Sequence, residues 1–137
     1  MHCDGREKLL RHTEPLKLLK TRAGQRLEWG NCFTFLCTAL GHEARLCNAD
    51  WSDFVWTEVY LIGEQRWVHL DCVQGAFDQP SLYEKVMNKK LAYVIAFSEA
   101  EVVDVTYKYV LDKEATDQRR IKVDEQFLAA ILKTMRE

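Results

Sequence analysis

The chain has 137 residues, 47% of them hydrophobic and 29% charged, with a formal net charge of -2. That length suits a single domain with one buried core, and the balanced charge excludes a global electrostatic pull toward nucleic acid or an anionic membrane. No apolar run approaches the ~18 residues of a membrane span.

The start, Met1-His2-Cys3-Asp4-Gly5-Arg6-Glu7-Lys8, is polar and lacks the apolar segment of a secretion signal. Pro15 followed by Leu16, Leu18 and Leu19 predicts a short helix beginning at the proline. Residues 20 to 27, with Gly24, read as a loop. From 28 to 40 the residues Trp29, Cys32, Phe33, Leu36, Cys37 and Leu40 mark the buried stripe of a helix, with Gly41 as its C-terminal cap. Strand-like runs follow at 44 to 48, 54 to 62 and 66 to 72, the last two joined by a turn at Gly63-Glu64. A loop from 74 to 88 precedes two further strands, 91 to 97 and 102 to 109. The rest, from about 113 to 136, reads as one helix with Phe127, Ala130, Ile131 and Leu132 on its apolar face.

A central helix, an antiparallel sheet and helices at both ends make an α+β fold. Three divisions of one domain are expected: 1 to 27, 28 to 110 and 111 to 137. The basic cluster Arg119, Arg120 and Lys122 reads as a solvated helix start, so no nucleic-acid partner is expected. The cysteines, Cys3, Cys32, Cys37, Cys47 and Cys72, are five in number and irregularly spaced. They predict reduced thiols in a cytoplasmic or nuclear compartment.

Three patches are more specific: Glu28-Trp29-Gly30-Asn31-Cys32-Phe33, Val55-Trp56-Thr57-Glu58-Val59-Tyr60 and Arg66-Trp67-Val68-His69-Leu70-Asp71. Together with Ala39-Leu40-Gly41, Leu82-Tyr83-Glu84, Lys89 to Ser98 and Glu101 to Thr106, they resemble the core of cytoplasmic peptide:N-glycanases. The resemblance implies a transglutaminase-like fold of the papain-like cysteine protease superfamily. It also implies hydrolysis of the amide between asparagine and the first sugar of an N-linked glycan, on misfolded glycoproteins exported from the endoplasmic reticulum.

That chemistry uses a cysteine thiolate, a histidine base and an orienting aspartate. By the resemblance, the three positions are Arg26, Phe54 and Asp71 in this chain. A guanidinium stays protonated and cannot attack, and a benzene ring accepts no proton. Only the aspartate is retained. Cys32 lies roughly 9 Å along the helix from position 26, and it belongs to the core stripe. His69 and His42 are read as structural and solvent-facing rather than as substitute bases.

The family's zinc site pairs two Cys-x-x-Cys motifs. Cys3-Asp4-Gly5-Arg6 resembles the second with one cysteine lost, and the first would precede Met1, so no metal or other cofactor is expected. Trp56, Glu58 and Trp67 match positions that the resemblance places in a sugar-binding groove, although the same three residues would equally serve to pack the sheet. The preferred reading is a catalytically inactive module that binds an N-glycan, a glycoprotein or a ubiquitin-shuttle protein. The alternative is an active glycanase.

Overall fold

The computed structural model describes residues 11–136. Helix α1 (Pro15–Thr21) starts at the predicted proline. Helix α2 (Arg26–Ala39) begins two residues before the predicted Glu28. A capping box sets that start: the Gln25 side chain accepts from the Glu28 N–H, and Glu28 Oε2 accepts from Gln25 N at 3.1 Å. Gly41, at φ 87°, ends the helix as the sequence predicts.

Six strands follow: β1 (Ala44–Ala49), β2 (Val55–Leu61), β3 (Arg66–Asp71), β4 (Ala76–Phe77), β5 (Val94–Phe97) and β6 (Val102–Asp104). They form one antiparallel sheet in the order β4-β3-β2-β1-β5-β6. Helix α2 lies across β1 and β2. It packs tightly at Gly30, where an added Cβ would stand 2.6 Å from Val55 Cγ2. On the sheet's other face Trp56 stacks on Tyr83, with ring centroids 4.1 Å apart, inside a core that includes Cys47, Val94 and Tyr109. Both faces are therefore covered, and β2 is buried from Val55 to Val59.

Several expectations need correction. The loop from 74 to 88 contains β4 and a helical turn, α3 (Leu82–Lys85). The strand expected over 91 to 97 pairs only from Val94. The strand expected over 102 to 109 ends at Asp104, because Asp104 Oδ1 accepts from Thr106 N at 2.9 Å and from Thr106 Oγ1 at 2.5 Å. Those bonds compete with the ladder and turn the chain into α4 (Thr106–Tyr109).

The terminal helix is really two, α5 (Lys113–Arg119) and α6 (Glu125–Thr134), each opened by an aspartate cap, Asp112 and Asp124. Arg120 sits at the break. It is buried, not solvated, and its guanidinium reaches Asp104, Glu125, the Ala92 carbonyl and Thr106. The apolar face expected on α6 stays open: Phe127 is 60% exposed, because the helix touches little beyond β6. Among the described residues no helix is long and apolar enough to cross a membrane.

Candidate functional site

The fold brings Arg26, Phe54 and Asp71 together. Arg26 opens α2, Phe54 immediately precedes β2, and Asp71 ends β3. The Arg26 guanidinium pairs with Asp71 Oδ2, and its carbon lies 4.0 Å from the Phe54 ring centroid. Lys89 places a second cation 4.1 Å from the same centroid. A cation at a helix N-terminus opposes the helix dipole. The buried carboxylate opposite offsets that cost.

Asp71 is 2% exposed and fully engaged. Oδ1 accepts from Val73 N at 2.9 Å and Gln74 N at 3.0 Å, while Oδ2 accepts from Tyr83 OH at 2.8 Å and from Arg26. Behind it, Gln79 N donates to His69 Nδ1 at 3.2 Å. The proton therefore sits on Nε2, which donates to Tyr83 OH at 2.6 Å. Burial pushes the His69 pKa down to about 4, so the ring is neutral at pH 7. The same burial, with the nearby Asp71 charge, pushes the Tyr83 phenol up. His69, Tyr83, Asp71 and Arg26 thus form one chain of contacts in which the histidine never touches the aspartate.

Each of the described thiols is held toward its protonated form. Cys32 is buried with its Sγ directed at the Pro15 carbonyl, 3.8 Å away, and burial raises its pKa. Burial likewise raises Cys37 and Cys47. Cys72 is exposed beside Asp71, but desolvation and the aspartate charge push its thiol up, away from the reactive thiolate. Cys3 lies outside the described residues. Among those described, no cluster of three or more His, Cys, Asp or Glu side chains has the geometry to hold a metal ion.

The three groove residues divide. Trp56 is 1% exposed and Glu58 0%, so neither presents a surface to a ligand, which corrects the groove expectation for both. Glu58 is an interior carboxylate that accepts from Arg45 Nε, Lys108 Nζ and Tyr109 OH, each at 2.6 Å. Burial alone would push its carboxyl up, but these partners hold it below its ordinary value. Trp67 is half-buried, under the Arg45 guanidinium at 3.9 Å and edge-on to Tyr60. It borders a surface hollow of about 550 Å³ shared with Glu43, Ser98, Glu101 and Arg136.

Sequence reasoning missed Tyr83, Lys89, Arg45 and Lys108 as members of these clusters. Tyr83 and Lys89 lie in segments that carry the family resemblance, and Glu58's need for a counter-charge was readable from strand alternation. Nothing in the sequence signalled Lys89 over Phe54.

Comparisons with known proteins agree with this architecture. The Rad4 transglutaminase-like domain model matches residues 51–137, and the transglutaminase-like superfamily model matches residues 1–72. Peptide-N(4)-(N-acetyl-beta-glucosaminyl)asparagine amidases from Rattus norvegicus and Homo sapiens are each 49% identical over 92% of the chain, and the Arabidopsis thaliana protein is 43% identical over 97%. The chain spans only about a fifth of the length of these relatives (19%, 19% and 18%). A crystal structure of Rad4–Rad23 bound to a 6-4 photoproduct UV lesion superposes with a TM-score of 0.73 at 18% identity, covering 96% of this chain and 35% of that one. A second Rad4/XPC structure, concerned with DNA duplex opening, gives 0.71 at 19% identity, covering 98% and 36%. At that identity the likeness speaks for the fold alone. The chain belongs to the transglutaminase-like superfamily, and its sequence is peptide:N-glycanase-like.

Proposed function

We propose that this chain is a non-cleaving member of its family, a module that binds N-glycosylated protein in a cytoplasmic or nuclear setting. The observation that supports this reading is the ion pair between Arg26 and Asp71 under the Phe54 ring. A cation, an arene and a carboxylate stand where a thiolate, an imidazole and a carboxylate are required. Among the described residues the hydrogen-bond partner of the Arg26 side chain is Asp71, whose carboxylate the guanidinium already occupies.

The relatives' own names favour a second reading, an active amidase. Incubation of the purified chain with a denatured N-glycoprotein distinguishes the two. Intact glycoprotein is expected; release of glycan with conversion of asparagine to aspartate overturns the proposal. A ubiquitin-shuttle protein is the other partner the resemblance implies, and pull-down with the purified protein tests it separately.

A further inference from the structure

Between β1 and β2 the backbone does something its sequence does not favour. Asp50 and Trp51 have φ of 52° and 54°, and Ser52 N donates to the Ala49 carbonyl at 3.0 Å. Two successive left-handed residues closed by such a bond make a type I′ turn. Aspartate tolerates that conformation, but the second central position belongs to glycine, and a bulky side chain there is strained.

The turn is held from outside. Asp50 Oδ1 accepts from Ala92 N at 3.1 Å and Tyr93 N at 2.8 Å, and Asp50 N donates to the Tyr93 carbonyl at 2.8 Å. Ser52 Oγ donates to the Ala49 carbonyl at 2.7 Å, and Asn48 Nδ2 to the Ser52 carbonyl at 2.6 Å. The indole leans on Tyr93, centroids 4.7 Å apart at 45°, and Tyr93 is itself backed by the Arg120 guanidinium at 4.4 Å. Packing on Tyr93 offsets the strain and fixes the ring, yet 51% of Trp51 remains in water. Strain concentrated on an exposed, immobilised aromatic is the pattern of a ligand contact.

The surroundings define the ligand's chemistry. Lys122 Nζ lies 5.9 Å from the indole centroid, and two residues later on the same loop the carboxylate of Asp53, 57% exposed, is paired with the Arg11 guanidinium at 3.1 Å. That loop ends at Phe54, on the rim of the site described above. A flat apolar face with a cation beside it suits a pyranose ring, whose C–H face stacks while its hydroxyls bond outward. We propose that Trp51 is a stacking platform for one sugar ring of an N-glycan. This rests on the binding reading above and adds a residue that the sequence did not single out.

The test titrates the whole chain with the free trimannosyl-chitobiose oligosaccharide and follows the tryptophan indole N–H signals by NMR. Binding is expected in the native protein. Trp51→Gly, which relieves the strained φ and so preserves the fold, is expected to weaken binding at least about tenfold, and Trp51→Phe to stay within about threefold. If the native protein binds and Trp51→Gly binds equally well, the Trp51 assignment is overturned while the glycan-binding reading stands. If the native protein does not bind the oligosaccharide, both fall.

Discussion

Asp71 and Glu58 sit on neighbouring strands, both carboxylates are buried, and both meet a guanidinium, yet they are held in different ways. Glu58 is satisfied wholly by side chains, the cations of Arg45 and Lys108 and the phenol of Tyr109, from three other places in the fold. Asp71 is satisfied by two backbone N–H groups, the Tyr83 phenol and one cation. Backbone donors and a buried phenol fix an aspartate whether or not a cation is present. Asp71's geometry is thus set by the scaffold, and Arg26 is an occupant of a site it did not build.

Removing one charge from each cluster and measuring stability in urea separates the two modes of holding. Glu58→Gln leaves Arg45 and Lys108 facing an uncharged partner in the interior and is expected to cost about 3–5 kcal/mol. Next in size is acid sensitivity behind Asp71. His69 is held at about 4 in the fold, below the ordinary value near 6.5. Between those values the unfolded chain takes up a proton that the folded chain refuses, so stability falls as pH drops from about 6.5 to 4, by roughly 3 kcal/mol. His69→Gln is expected to remove that part of the slope, read from urea midpoints at neutral and acidic pH. Smallest is Arg26→Met, expected to cost only about 1–2 kcal/mol because three donors to Asp71 remain. A loss as large as that of Glu58→Gln would mean that the cation, not the scaffold, positions Asp71.

Much of this was legible in the sequence because it rests on periodicity. The stripe through Trp29, Cys32 and Cys37 gave α2, and the aromatic and β-branched runs gave β2 and β3. The family resemblance named Arg26, Phe54 and Asp71, which the fold then brought into contact. What escaped depends on side chains that compete with the backbone or meet across the fold. Asp104 captures Thr106 and ends a strand that propensity alone would extend to Tyr109. Arg120 splits a helix whose apolar pattern runs on without interruption. A carboxylate such as Glu58 needs either water or a cation, but only the three-dimensional register shows Arg45 opposite it across β1 and β2.

Arg120 has one further consequence. Its planar fork simultaneously ties the α5–α6 junction to the approach to β5, to the end of β6 and to the first residue of α4. A lysine would conserve the formal charge but supply a single pivot in place of several fixed directions. The joint between sheet and tail is thus specified by shape as much as by electrostatics, and chemically similar residues are not interchangeable there.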